Sequence, residues 1–193
     1  MPRLLAILLL LLGGRLAPDS GAVELPDAIG YVPEDRHRDA VAAERSLMDN
    51  VALRSAGSRR GIMRWAAWRE RTDALVSRFD VRGPSDGGSM AARPVQALSG
   101  GNQQKLVVAR ELGDAPRLVV AENPTRGLDV RAAAAVRQRL REAARAGAAV
   151  VVYTPDLDEA LAIADRILVV HDGAVTECAH DRDAVGRAML GVA

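Results

Sequence analysis

The octapeptide Leu98-Ser99-Gly100-Gly101-Asn102-Gln103-Gln104-Lys105 decides the fold of this chain. A run of apolar residues at helical spacing follows it: Leu106, Val107, Ala109 and Leu112. Gly113 then suits the end of a helix. The N–H groups at a helix N-terminus lack intrahelical partners and carry the positive end of the dipole, and glycine leaves the backbone bare. The octapeptide therefore predicts a binding site for phosphate or a similar anion.

Composition limits the classes of function. A chain of 193 residues with 49% apolar and 26% charged residues is long enough for one globular domain with a core and a subdomain. A net charge of +1 and 3% aromatic residues argue against a nucleic-acid partner. The single cysteine, Cys178, excludes an internal disulfide and is compatible with a reducing cytosol. Its simplest interpretation is a small apolar residue near a strand.

Ser-Gly-Gly alone occurs in many flexible loops, but the whole octapeptide resembles the signature motif of ABC-type ATPases. Its Asn-Gln-Gln-Lys form is similar to that of bacterial importers of simple sugars and nucleosides. The resemblance runs from about Leu4 to the C-terminus. It implies an α/β fold, namely an ABC-type P-loop ATPase core that is incomplete at its N-terminus and carries an inserted helical subdomain. The implied divisions are core at 1–40, helical subdomain at 41–105 ending in the signature, and core at 106–193.

The N-terminal residues allow two interpretations. Arg3 and the apolar run 4–12 are typical of a secretory signal. The resemblance instead implies the first core helix, ended by Gly13-Gly14 and followed by a strand at 21–25. No Gly-x-x-x-x-Gly-Lys-Ser/Thr occurs in the sequence, and Lys105 is its only lysine, so no Walker A lysine is present to reach the β- and γ-phosphates.

The apolar run 118–121 lies between Pro116 and Pro124 and predicts a buried parallel strand. Ligands bind beyond the carboxyl ends of such strands. By resemblance to the Walker B segment, Glu122 takes the place of the Mg²⁺-associated aspartate and Asn123 that of the catalytic glutamate. An amide can orient a water but cannot accept its proton. Glu122 is then a weak candidate Mg²⁺ ligand.

Three further positions follow from the resemblance. Glu34 stands where the Q-loop glutamine is usual; a carboxylate could ligate Mg²⁺, and the alternative is an acidic turn paired with Arg36 or Arg38. Asp129 lies in the place of the D-loop, which in this family crosses to the partner subunit. Pro155 replaces the switch histidine and can neither donate a hydrogen bond nor carry charge.

Between 41 and 95 the apolar pattern is helical and interrupted, with loops at 55–61 and 83–89. Trp65 and Trp68 favour core or interface packing over a ligand box. A basic cluster accompanies them: Arg59, Arg60, Arg64, Arg69 and Arg71. We expect this cluster to form a solvated face, and contact with a membrane subunit is the alternative.

The remaining sequence predicts alternating helices and strands: a helix at 132–146, a strand at 148–153 buried in the sheet, a helix at 158–164 and a strand at 166–171. Asp172-Gly173 predicts a hairpin turn into a strand at 174–178. His171 and His180 have no metal-ligand spacing around them and are expected to be surface or core residues.

The resemblance implies the ATP-binding component of an importer for a simple sugar or nucleoside, peripheral on the cytoplasmic face of the membrane. In this family each nucleotide lies between one domain's phosphate loop and the other domain's signature. The implied partners are a second ATPase domain and permease subunits, and the implied cofactors are ATP and Mg²⁺ shared with that domain. The implied nucleotide-binding residues are Ser99, Gly100, Gly101, Gln103, Glu34 and Asp129.

Glu122, Asn123 and Pro155 leave no intact catalytic group, so the chain is expected to be inactive alone. Three classes of function stay open: a transporter subunit that donates its signature to a partner's ATP, a non-catalytic regulatory module, and a truncated product without function. The sequence does not identify the solute.

Overall fold

The computed structural model describes residues 3–57, 60–84 and 87–192. The helices are α1 (Arg3–Leu12), α2 (Arg36–Asp39), α3 (Leu47–Leu53), α4 (Trp65–Arg78), α5 (Gly100–Leu112), α6 (Val130–Arg145), α7 (Leu157–Ile163) and α8 (Arg182–Leu190). The strands are β1 (Ile29–Val32), β2 (Leu118–Glu122), β3 (Ala149–Tyr153), β4 (Ile167–His171) and β5 (Ala174–Cys178). The mixed α/β architecture agrees with the predicted fold class.

The chain divides into two compact units. The larger unit is Pro26–Val151, and the smaller one combines the residues up to Leu25 with those from Val152 onward. The predicted divisions at residues 40 and 105 do not coincide with these boundaries, and they stay a prediction.

In the three-stranded sheet, β2 lies between β1 and β3. β1 and β2 are parallel, with Ile29 opposite Leu118 and Val32 opposite Ala121. All five residues of β2 are buried, as its continuous apolar run predicts for a central strand. Because the two strands are parallel, the residues that follow Val32 and Glu122 emerge at the same edge of the sheet.

One strand prediction is wrong in part, and another is wrong. β3 forms where it is expected, but Ala149 is exposed and the rest of the strand is only half-buried. The strand predicted at 21–25 does not form. Gly21 to Glu24 are exposed, and a strand is stable only when its backbone groups find a ladder partner.

A buried carboxylate joins α5 to the sheet. Glu111 is 6% exposed and accepts hydrogen bonds from the Tyr31 backbone N–H at 3.2 Å and from Arg110 Nε at 2.8 Å. It also forms an ion pair with the guanidinium of Arg54, which donates to the Ile29 carbonyl at 3.0 Å. Arg54 follows α3, so one side chain connects α3, α5 and β1.

We predict that Glu111→Ala lowers the free energy of unfolding by about 3–5 kcal/mol, because it removes the anion of the buried Arg110 guanidinium and leaves Arg54 only the more distant Asp114, at 3.6 Å. Glu142→Ala is the matched control, since Glu142 pairs with Arg139 on the exposed side of α6 and such a pair contributes less than about 1 kcal/mol. Urea denaturation measures both variants. Losses of similar size would contradict the prediction.

Gly113 ends α5 as predicted, but for a reason of packing. Its backbone is right-handed, with φ of −60°, and the positive φ comes two residues later at Ala115. A Cβ on Gly113 would lie 2.7 Å from Leu75 Cδ2 and 2.8 Å from the Ala109 carbonyl. The close approach of α4 to the end of α5 therefore requires glycine.

We expect Gly113→Ala to destabilise the chain by about 1–3 kcal/mol through this overlap. Gly186→Ala in α8 is the control, because a Cβ there meets no atom within 4 Å and alanine is favoured over glycine in a helix by about 1 kcal/mol. The melting temperature should fall for Gly113→Ala and rise for Gly186→Ala. A rise for both variants would contradict the packing argument.

The smaller unit contains α1 and the C-terminal elements. α1 forms over the apolar run, and the Gly13 N–H closes its last turn on the Leu9 carbonyl at 2.8 Å. β4 and β5 form an antiparallel hairpin whose turn residues Asp172 and Gly173 both have positive φ, as the hairpin prediction requires. Across the described residues, no helix is both long and apolar enough to span a bilayer.

Candidate functional site

The N-terminus of α5 is the centre of the candidate site. Ser99 is its N-cap residue, with φ of −62° and ψ of 157°, and Gly100 and Gly101 are the first residues of the helix. The Ser99 hydroxyl does not cap the helix and accepts instead from Asn102 Nδ2 at 3.0 Å. The Gln103 N–H donates to the Ser99 carbonyl at 2.9 Å, whereas the N–H groups before it have no intrahelical carbonyl in reach. The first turn thus keeps donors for an anion.

The two glycines allow neighbouring groups to approach α5 closely. A Cβ on Gly100 would lie 2.9 Å from Arg36 Nη2, and one on Gly101 would lie 3.0 Å from Ala132 Cβ. The Arg36 guanidinium therefore lies against the positive end of α5. A cation there is unfavourable by itself and would be stabilised by an anion shared with the helix. From the sequence, Arg36 is expected only as an alternative partner of Glu34.

Asp129 lies beside this helix end and caps α6. Its Oδ1 accepts from the N–H groups of Arg131 and Ala132, both at 2.9 Å. Its Oδ2 is 3.9 Å from the Cβ position of Gly101. The structure therefore brings Asp129 close to Gly101 of the signature.

Gln103 and Gln104 are buried and hold the backbone around the signature. Gln103 Nε2 donates to the Leu98 carbonyl at 3.0 Å and fixes the turn before Ser99. Gln104 Nε2 donates to the Pro124 carbonyl at 2.9 Å and ties α5 to the loop after β2. The role of Gln103 in binding nucleotide stays a prediction, and its observed contacts are with the chain itself.

Lys105, the only lysine, is engaged away from the signature. Its Nζ donates to the Asp80 carbonyl at 2.9 Å and lies 3.2 Å from Asp80 Oδ2. Hydrogen bonds from Arg82 and then Lys105 hold the pKa of the Asp80 carboxyl below its usual value.

A second cluster occupies the edge of the sheet beyond β1 and β2. Glu122 is buried and accepts from the Tyr31 hydroxyl and from the Glu34 backbone N–H at 3.3 Å. Glu34 Oε1 in turn accepts from Asn123 Nδ2 at 3.2 Å and from Arg126 Nη1 at 2.7 Å. The structure thus brings the predicted residues Glu34, Glu122 and Asn123 together, and adds Tyr31 and Arg126.

The alternative pairing of Glu34 with Arg36 or Arg38 is wrong. Arg38 pairs with Asp39 at 2.8 Å, and Arg36 lies against Gly100. Arg126 takes their place because the loop after β2 emerges at the same sheet edge as Glu34. Arg126 and Glu34 are 92 residues apart in the sequence, so no local sequence pattern could predict this pair.

This donor set does not fit Mg²⁺ well. Both oxygens of Glu122 and one oxygen of Glu34 already accept internal hydrogen bonds. Within the described ranges, no group of three or more His, Cys, Asp or Glu side chains could hold a metal ion. Mg²⁺ at Glu122 stays a prediction, and the hydrogen bonding counts against it.

Asn123 has a positive φ of 44°, a conformation that asparagine tolerates better than most residues. Pro155 belongs to the smaller unit, where it is exposed in the turn before α7. Asp156 beside it caps that helix through the N–H groups of Asp158 and Glu159. His171 and His180 are exposed, as expected of surface residues.

Curated relatives match most of this chain. It is 40% identical over 152 residues to a nucleoside import ATP-binding protein, NupA, of Lactococcus lactis subsp. cremoris, covering 77% of this chain and 29% of the relative. It is 39% identical over 187 residues to a glucose import ATP-binding protein, TsgD13, of Haloferax volcanii, covering 93% of this chain and 34% of the relative. This chain belongs to the family of ABC transporter ATP-binding proteins. It spans about a third of the length of these relatives.

Solved structures agree with this assignment. A dimeric ATP-binding cassette bound to ADP and Pi is 26% identical, with a TM-score of 0.61, and the match covers 78% of this chain and 63% of that one. An inward-facing metal-chelate type ABC transporter matches in fold at a TM-score of 0.75 and 22% identity, covering 96% of this chain and 72% of that one. No family model matches this ABC protein.

We predict that Asn123→Glu does not create an ATPase and destabilises the chain. The new carboxylate would replace an amide that donates to Glu34 Oε1, so two like charges would face each other at a cost of about 1–2 kcal/mol. The double variant Asn123→Glu/Glu34→Gln should recover the lost stability. Phosphate release measures the ATPase activity, and thermal unfolding measures the stability. ATP turnover by the single variant Asn123→Glu would contradict the prediction that it creates no ATPase.

Proposed function

We propose that this chain is the ATP-binding part of an importer for a simple sugar or nucleoside, and that its signature binds ATP held by a second ATPase domain. The observation that carries the proposal is the α5 N-terminus, where the backbone donors of Gly100 and Gly101 and the guanidinium of Arg36 converge. The solute class is suggested by the relatives, which are named for the import of nucleosides and glucose.

In this proposal the residues around α5 bind and orient phosphate. The first-turn N–H groups and the Ser99 hydroxyl donate to the γ-phosphate, and Arg36 adds positive charge beside them. Gln103 holds the turn before Ser99 in place, and Asp129 fixes the start of α6 against Gly101. Bound ATP supplies the phosphoanhydride bond whose cleavage is coupled to transport.

The chain's own sheet edge contributes no base. Asn123 is an amide, and Glu34 is engaged by Asn123 and Arg126. The phosphate loop, the general base and the Mg²⁺ ligands would therefore come from the second ATPase domain. That domain and the permease subunits would hold this chain at the cytoplasmic face of the membrane.

A second candidate is a non-catalytic regulatory module. The same hydrogen bonds favour it, because Glu34 and Glu122 are held by internal donors. The two proposals differ in whether α5 acts on a partner's nucleotide.

The test reconstitutes the chain with a complete ATPase domain and permease subunits and compares Ser99→Arg with the wild type. The arginine side chain would block the helix end, and loss of one preorganised donor typically costs about 10²- to 10³-fold in rate. Ser77→Arg on the exposed side of α4 is the control. We expect ATP turnover and transport to fall only in Ser99→Arg.

Equal ATP turnover in Ser99→Arg and Ser77→Arg would show that the signature does not act on the partner's ATP. The regulatory module would then be the remaining candidate function. Measurable hydrolysis by the isolated wild-type chain would contradict the assignment of the base to the second domain.

A further inference from the structure

Phe79, the residue that follows α4, is a buried aromatic side chain with 5% of its surface exposed. Trp65 at the start of α4 is 48% exposed, so its predicted core packing is wrong, and interface packing stays a prediction. Four arginines of the predicted basic cluster are exposed as expected, and Arg59 lies outside the described residues. The end of α4, and not its start, therefore brings an aromatic ring into the core.

A groove lies beside Phe79, between the end of α4, α5 and α6. It encloses about 180 Å³. Its apolar lining includes Phe79, Val108 and Val136, and each of these residues is at most 5% exposed. A cavity of about 150 Å³ lined by apolar side chains holds a benzene molecule. The groove therefore has room for one aromatic ring or a branched aliphatic group of similar size.

Two basic side chains also line this groove. Lys105 Nζ carries three N–H groups, and its bonds within the described chain go to two oxygens of Asp80, at 2.9 and 3.2 Å. Arg139 Nη1 donates to Glu142 at 2.8 Å, and the guanidinium carbon lies 4.9 Å from the centroid of the Phe79 ring. Each cation therefore keeps N–H donors that its contacts with the described residues do not use.

The carboxylates in the lining, Asp80 and Glu142, are outnumbered by cations. Hydrogen bonds from Gln138 and then Arg139 hold the pKa of the Glu142 carboxyl below its usual value, so this group is ionised at neutral pH. Five cations of the described chain line the groove or interact with its lining residues: Arg78, Arg82, Lys105, Arg139 and Arg145. The surroundings of the groove therefore favour an anionic ligand.

We propose that this groove binds a small carboxylate whose apolar body is about the size of a benzene ring. The apolar body would displace water from Phe79, Val108 and Val136, and burial of apolar surface is favourable. The carboxylate would accept hydrogen bonds from Lys105 and Arg139, and charge-assisted hydrogen bonds are stronger than neutral ones.

Other classes of ligand fit this lining less well. A sugar would place hydroxyl groups against apolar side chains that offer no hydrogen bonds, which costs free energy. A free phosphate would leave the apolar lining in contact with water, and a cation would face the excess of guanidinium groups. The ligand is therefore of a different class from ATP and from an imported sugar. Neither the signature nor a partner domain enters this proposal.

The experiment titrates the whole purified chain with benzoate, benzamide or acetate and follows the backbone amide signals by NMR. Benzoate should bind saturably and shift the signals of residues around Phe79, Lys105 and Arg139. Benzamide lacks the charge and acetate lacks the ring, so each should bind at least about tenfold more weakly. The affinity for benzoate should fall as salt is raised.

Two variants test the groove itself. Ala135→Leu places a larger side chain in the lining and should abolish benzoate binding. Lys105→Met removes the cation at similar side-chain length and should weaken binding by about tenfold or more. The matched controls are Ala134→Leu on the exposed side of α6 and Arg187→Met in α8, and both should bind benzoate as the wild type does.

Circular dichroism verifies that every variant is folded, and the two test variants change different walls of the groove. Benzoate shifts that do not saturate or that map to another surface would overturn the proposal. Equal affinities for the three probes, or equal losses in the test and control variants, would also overturn it.

Discussion

The carboxylate of Glu111 is the contact on which the larger unit depends. It is buried among Arg54, Arg110 and the Tyr31 N–H, and it therefore connects α5 to a strand and to the end of α3. A charge in this position is tolerated only because each oxygen has a donor. Because Glu111 lies on α5, its contacts fix the position of α5 along the sheet. They therefore also fix the position of Ser99, Gly100 and Gly101 at the start of the helix. A polar side chain in the core thus positions a backbone site at the surface.

Much of the fold follows from the sequence because its signals are local. The apolar run of β2, the helical spacing after Ser99 and the Asp172-Gly173 turn each specify an element from neighbouring residues, and each element formed. The strand at 21–25 did not form, because Gly21, Ala22 and Glu24 are poor strand formers and the segment has no ladder partner. β3 was assigned correctly, but how far it is buried depends on what packs against it, which no local pattern contains.

The candidate site was predictable to the extent that the resemblance placed its residues. Glu34, Glu122 and Asn123 meet at one sheet edge, and Asp129 meets Gly101. The contacts of these side chains were not predictable. Arg126 reaches Glu34, Tyr31 reaches Glu122, and Arg36 reaches Gly100 only after the chain has folded back across the sheet. These additions change the chemistry, since they turn a candidate metal site into a set of internal hydrogen bonds.

The parallel pairing of β1 with β2 has a consequence for how the protein folds. Tyr31 and Glu122 are separated by 91 residues, so the two strands can meet only after the intervening chain has become compact. Contacts of such high sequence separation form slowly and are typically absent until late in folding. α4 and the turns around it, which rely on local contacts, can form earlier. We therefore expect the sheet edge with Glu34, Glu122 and Asn123 to assemble late in the folding of the larger unit. During synthesis, the helical segment around α4 would be nearly complete before this sheet edge exists.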